Sequence, residues 1–274
     1  QSDGMMWVAT GFGLEKISYD GIRDQEYEKS LLNVNYIIDL EIINDVMLWV
    51  ATDQGILKID TWNDYDAENI IRFSESDSLP PSRRISNNLV HDILPIEDKI
   101  WVATGSGMVI IDTTTNSVTD FNSDLIARVI SKDSSGNIWL GTEMDGLFKI
   151  PYELLGDIEK GEDFELEGHI FDKAFTSGIS SSQITCITED KNGVIWVGTN
   201  GGLNKYISEK DNFEHYFVQD GLPSNYITGV LVDKTNGLWI SSKKGISFYD
   251  QVNSTFTNYS LTDGIGNIDF HRHS

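Results

Sequence analysis

Short apolar runs, each closed by polar turn residues, recur along the chain. They are clearest between residues 180 and 225. Ile184 to Ile187 alternates and is β-branched, Val194 to Val197 is more continuous, and Leu203 to Ile207 and Phe213 to Val218 follow. Alternation predicts a half-buried strand, and a continuous β-branched run predicts a strand covered on both faces. Asp190, Asn192 and Gly193 supply turn chemistry, and Thr199-Asn200-Gly201-Gly202 is a connection of hairpin length. The unit therefore reads as four antiparallel strands. No segment sustains the 3.6-residue period of an amphipathic helix.

The unit is repeated. Trp7 opens WVATGFGLEKI, Trp49 WVATDQGILKI, Trp101 WVATGSGMVII, Trp139 WLGTEMDGLFKI, Trp196 WVGTNGGLNKY and Trp239 WISSKKGISFY. Only Trp62 stands outside the pattern. The intervals are 42, 52, 38, 57 and 43 residues. Four strands in roughly 40 residues is the signature of a propeller blade. The β-solenoid alternative has shorter coils and lacks three hairpins per unit. The expected fold class is all-β, a β-propeller of four-stranded antiparallel blades with six visible repeats.

A single propeller domain is expected over 1–274, with repeats near 1–34, 35–86, 87–124, 125–181, 182–224 and 225–267. The first phrase lies too close to the start to have its own opening strand. Residues 268–274 can supply that strand, closing six blades, or the six repeats form part of a seven-bladed ring. Closure matters because it removes exposed sheet edges.

The repeated residues read as scaffold. The tryptophans fill the space between neighbouring sheets. Three residues on, Thr10, Thr52, Thr104, Thr142, Thr199 or Ser242 offers a hydroxyl to the tight turn. Glycine follows at Gly13, Gly55, Gly107, Gly202 and Gly245, and shifts to Gly146 where Asp145 is inserted. Six residues before the last three tryptophans, Asp133, Asp190 and Asp233 open a further turn. The long intervals hold insertions, DTWNDYDAENIIRF and SESDSLPPSRRISNN in the second copy and PYELLGDIEKGEDFELEGH in the fourth. Trp62, Tyr65, Tyr152, Leu154 and Leu155 are apolar groups within them, set to pack back on the blades or to meet a partner.

Composition narrows the partners. Hydrophobic residues make up 39% of the 274, enough for a packed core. Acidic residues outnumber basic ones 43 to 20, a net charge of −23. Such a surface repels phosphate backbones and anionic headgroups, so neither nucleic acid nor direct membrane contact is expected. Cys186 is the sole cysteine and reads as a small buried hydrophobe. No apolar stretch is long enough to span a bilayer. No signal peptide is visible and the first residue is not Met, which fits a piece of a longer protein.

The phrases GVIWVGTNGGLNKY, GNIWLGTEMDGLFKI and DGLPSN resemble the two-component regulator propeller repeat, and the likeness extends over essentially the whole chain. The third and sixth copies depart in detail. The resemblance implies an extracytoplasmic, periplasmic sensor region of a hybrid two-component histidine kinase. It also implies neighbouring domains in the parent and a small polar ligand, of which oligosaccharides are the family's usual class.

The site is expected on the face that collects the second-to-third strand turns and the return loops. The candidates are Arg83, Arg84, Asn87, Glu143, Asp145, Asn200 and Asn225. Amides, carboxylates and a guanidinium pair suit sugar hydroxyls, and Arg83-Arg84 suits a carboxylate or sulfate. Phe12, Gln54, Ser106, Met144 and Lys243 share the turn positions.

Catalytic chemistry is not expected. DSSGNIW and DKNGVIW are one residue too long for the Asp-box of sialidase propellers, and arginines are few. His271 and His273 lack a third metal ligand, and no G-x-S-x-G, H-E-x-x-H or P-loop occurs. Neither cofactor nor metal is implied. The primary reading is a ligand sensor. The alternatives are a protein-interaction platform, including a homodimer, and a propeller lyase or glycoside hydrolase.

Overall fold

The computed structural model describes residues 5–10, 12–18, 23–28, 32–44, 46–61, 70–122, 124–158, 178–265 and 270. Chain contacts divide it into two compact units, Gln1–Asp124 and Leu125–Ser274. Each unit holds three consecutive blades of a β-propeller.

In the first unit, blade one is β1 (Met5–Thr10), β2 (Gly13–Ser18) and β3 (Arg23–Glu28). Blade two is β4 (Ile37–Ile43), β5 (Met47–Thr52), β6 (Gly55–Asp60) and β7 (Ile70–Phe73). Blade three is β8 (Val90–Ile96), β9 (Lys99–Thr104), β10 (Gly107–Asp112) and β11 (Val118–Asn122). In the second unit, blade four is β12 (Ala127–Lys132), β13 (Ile138–Thr142) and β14 (Leu147–Ile150). Blade five is β15 (Ile184–Glu189), β16 (Ile195–Thr199), β17 (Gly202–Ile207) and β18 (Asn212–Tyr216). Blade six is β19 (Ile227–Val232), β20 (Leu238–Ser242), β21 (Gly245–Asp250) and β22 (Thr255–Tyr259). Strands follow one another in sheet order, all antiparallel.

The expected opening strand of blade one at 268–274 lies outside the described residues, apart from Phe270. So do Trp62, Tyr65 and much of the insertion after β14. The described part of that insertion is a 3₁₀ turn, Tyr152–Leu154, running into a helical turn, Leu155–Ile158. Leu155 and Ile158 are buried, whereas Tyr152 and Leu154 are exposed.

Strand patterns follow from position. The second strands β13 and β16 are buried at every residue, which explains their continuous apolar sequence. The last strand β22 has no buried residue. First strands of successive blades lie side by side, β4 beside β8, β12 beside β15 and β15 beside β19.

The second-to-third strand turn is built the same way six times. The Thr or Ser hydroxyl donates to the carbonyl of the turn glycine and accepts an N–H from within the turn. Thr52 Oγ1 lies 2.7 Å from Gly55 O, and Gln54 N donates to it at 3.0 Å. Thr10, Thr104, Thr142, Thr199 and Ser242 repeat the arrangement. At Gly55 the backbone has φ +105°, and an added Cβ would sit 2.1 Å from Phe73 O, so no other residue fits.

Trp49, Trp101, Trp139 and Trp196 are fully buried. Trp139 meets Tyr206 of the next blade edge-on at 5.1 Å between ring centroids, and Trp196 meets Tyr249 likewise at 5.8 Å. Trp239 packs within its own blade, on Phe248 and Tyr259, and remains 39% exposed. A cross-strand lysine lies over three of these rings, Lys58 on Trp49, Lys149 on Trp139 and Lys205 on Trp196.

The indole N–H groups divide the blades. Trp139 donates to Asp133 at 2.9 Å and Trp196 to Asp190 at 3.1 Å. In blades two and three the residues six before the tryptophan are Ile43 and Pro95. Trp49 and Trp101 Nε1 are accordingly buried without a hydrogen-bond partner among the described residues.

Candidate functional site

Five first strands carry a β-bulge, where two residues oppose one on the partner strand. The register skips one residue in each, namely Ile38, His91, Arg128, Thr185 and Thr228. A bulge frees its extra residue from the ladder and re-aims its side chain. In the second unit the three bulge residues, each eleven before its tryptophan, line one cavity.

The cavity has a volume of about 310 Å³. Its other lining residues come from two further repeat offsets. Gln183 and Tyr226 immediately precede the first strands of blades five and six, and Glu143 and Lys243 stand four after their tryptophans. The backbone fixes both sets together. Lys243 N donates to Tyr226 O at 3.3 Å, and Asn200 N donates to Gln183 O at 3.3 Å. Ile184 and Phe270 complete the wall.

A polar chain crosses from blade four to blade five. Arg128 Nε donates to Glu143 Oε2 in an ion pair. Gln183 Nε2 donates to Glu143 Oε1 at 2.6 Å, and Asn200 Nδ2 donates to Gln183 Oε1. Both oxygens of Glu143 are thus engaged and its charge is offset by the guanidinium. On the other side the Lys243 ammonium lies over the Tyr226 ring, 4.3 Å from its centroid. Thr185 is buried, and among the described residues its hydroxyl reaches only Cys186 Sγ, at 4.0 Å. Thr228 shares a hydrogen bond with Ser241 at 2.9 Å.

The seven residues expected from sequence separate. Glu143 lines the cavity, and Asn200 joins it through Gln183. Asp145 is exposed on the same turn as Glu143, its N–H held by Thr142. Asn225 caps its return loop, accepting from Val218 N at 2.8 Å. Arg83, Arg84 and Asn87 lie in the first unit and hold their own loop. Arg84 donates to Leu79 O and Asp77, Arg83 O accepts from Ser74 N, and Asn87 donates to Ser106. At the turn position in blade two, Asp53 also serves its loop. Burial alone would raise its carboxyl, but the N–H groups of Tyr36 and Asn35 outweigh that and hold it below the usual range.

Arg128, Gln183, Thr185, Tyr226 and Thr228 were not among the sequence candidates. For Arg128, Thr185 and Thr228 the sole mark in the sequence is a one-residue slip of the alternation, eleven residues before each tryptophan. Among the described residues no group of three His, Cys, Asp or Glu side chains could hold a metal ion. No helix among them is long and apolar enough to cross a membrane.

Residues 178–201 and 221–244, which span β16 and β20 with their turns, match the two component regulator propeller family. These two segments carry the two component regulator propeller repeat. No curated protein matches the chain significantly in sequence. Among solved structures, the extracellular domain of a putative hybrid two component system from B. thetaiotaomicron superposes with a TM-score of 0.77 at 21% identity, over 98% of this chain and 34% of that one. The extracellular domain of a second such system from B. thetaiotaomicron gives 0.67 at 19% identity, over 96% of this chain and 35% of that one. The chain therefore spans about a third of the length of these neighbours. A catalytically inactive virginiamycin B lyase from Staphylococcus aureus, with quinupristin, gives 0.68 at 15% identity, over 99% and 85%. These likenesses establish the propeller fold, which this chain shares with the three proteins, and the fold alone.

Proposed function

We propose that this propeller is the extracytoplasmic, periplasmic sensing region of a two-component signalling protein, and that it responds to an oligosaccharide or another small polar ligand. The observation that carries this reading is the cavity between blades four, five and six. It offers two aromatic rings, buried hydroxyls, an amide and three charged groups, the mixture that recognises a hydroxylated ligand. The family of its repeats and the two-component neighbours support the signalling context. Neighbouring domains of the parent, including a histidine kinase, would receive the signal.

A thermal-shift and calorimetric screen of oligosaccharides tests the reading. A sugar that raises Tm, is recovered intact, and loses its effect in Tyr226→Ala supports it. Turnover of the sugar would point to the lyase or hydrolase alternative. Self-association through one face with no ligand response would favour the platform.

A further inference from the structure

We propose that the ligand of this cavity carries a carboxylate beside its hydroxyl groups, and that Lys243 selects for it. The inference deepens the sensing reading and rests on it.

Three charged residues line the cavity, Arg128, Lys243 and Glu143. In a chain where acids outnumber bases 43 to 20, this is a local reversal of sign. The Arg128 guanidinium and the Glu143 carboxylate face each other in an ion pair, so their charges compensate. Lys243 adds one uncompensated positive charge. Among the described residues, no carboxylate lies within ion-pair distance of its ammonium, which rests over the Tyr226 ring. A ring face leaves the three N–H donors open to a stronger acceptor.

A buried donor points the same way. Thr185 is 7% exposed, lines the cavity, and among the described residues has only a sulfur at 4.0 Å as partner. A buried hydroxyl in this condition is satisfied by a ligand or water. Lysine and threonine together present a charged donor and a neutral donor. That pair suits a carboxylate flanked by hydroxyls, while Tyr226 offers a face to an apolar ring surface. Glu143 cannot serve as the resident anion, because Arg128 and Gln183 already occupy both its oxygens. An acidic surface around a cationic pocket also disfavours polyanions and leaves room for one negative charge.

Two sources supply this chemistry, the uronate unit of a saccharide and a free hydroxy acid. Calorimetry with glucuronate, glucose and lactate separates them, because glucuronate and glucose differ at one carbon. Glucuronate is expected to bind about ten- to a hundredfold more tightly than glucose, the range of a charged hydrogen bond. That preference should shrink as NaCl is raised. Lys243→Gln should abolish it, and Lys243→Arg should retain it. Lys243 stands exposed on a turn, so ligand-free Tm should stay unchanged in both variants. Lactate binding as tight as glucuronate identifies the hydroxy acid as the source. Equal binding of glucose and glucuronate, or a preference that survives Lys243→Gln, overturns the inference while leaving a neutral-sugar sensor standing. If none of the three raises Tm, but a neutral oligosaccharide does so through Tyr226, the inference again fails and the sensor remains. If nothing binds at all, both fall.

Discussion

The Trp196 indole N–H donates to the Asp190 carboxylate, 3.1 Å away and six residues upstream. The same carboxylate accepts the backbone N–H groups of Asn192 and Val194, so one side chain closes the β15–β16 turn and anchors the blade's largest core residue. Burial pushes the Asp190 carboxyl up, but these donors outweigh it and hold the group below the usual carboxylate range. A depressed folded value means that the stabilisation is fully present above the unfolded value near 4 and is lost as pH falls through the folded value. Asp190→Ala should cost about 2–3 kcal/mol at pH 7 in urea unfolding. Asp190→Asn should cost less, and its deficit relative to the parent should narrow below about pH 4.

Glu41 behaves in the opposite sense. Burial, assisted by the nearby Asp39 charge, raises its carboxyl from 4.5 to about 6. The folded state therefore binds the proton more tightly, and acidification from pH 7 through this range adds stability. The full shift corresponds to about 2 kcal/mol, and solvent screening of this half-buried group reduces that to about 1 kcal/mol. Glu41→Gln should raise stability by that amount at pH 8 and have no effect at pH 4. A constant difference at both pH values would refute the assignment.

Gly55 tests the turn geometry. Alanine there must adopt positive φ and collide with Phe73 O, so Gly55→Ala should lose about 3 kcal/mol. At Gly156, in the helical turn after β14, an added Cβ would meet nothing within 4 Å, and Gly156→Ala should stay within about 0.5 kcal/mol. Paired chemical denaturation curves read both.

Thr52 tests the hydroxyl. Thr52→Val keeps shape but leaves Gly55 O and Gln54 N without their partner, at a cost of about 1–2 kcal/mol. Thr52→Ser should recover most of it. A valine variant as stable as the parent would mean that the hydroxyl is dispensable.

Repetition decided what could be read from sequence. Six copies of Trp, Thr or Ser, and Gly at matched offsets placed the second strand and its turn, and the strands of blade five fall where the apolar runs predicted. The lining of the candidate cavity was only half legible. Glu143, Asn200 and Lys243 were visible because the turn residues stand out between two constant markers. Arg128, Thr185 and Thr228 were hidden, since a bulge leaves no mark in an alternating pattern except a one-residue slip. Arg84 and Asn87 hold their own loop, and composition alone does not separate a polar loop that binds its own backbone from one that binds a sugar. Nor did the phrase reveal that Asp133 and Asp190 hold their tryptophans while Trp49 and Trp101 have no such partner among the described residues.

The bulge has an evolutionary corollary. Its extra residue makes no ladder pair, while the tryptophan eleven positions later and the turn behind it stay constant. On the sensing reading, substitution at Arg128, Thr185 or Thr228 should alter what the pocket prefers while leaving the ladder pairs of the blades in place. A saturation library at these three codons should be unusually tolerant of amino-acid exchange for folding and unusually rich in altered specificity. Descent from a common repeat would then diversify signals by exchanging letters at a fixed address, leaving the architecture untouched.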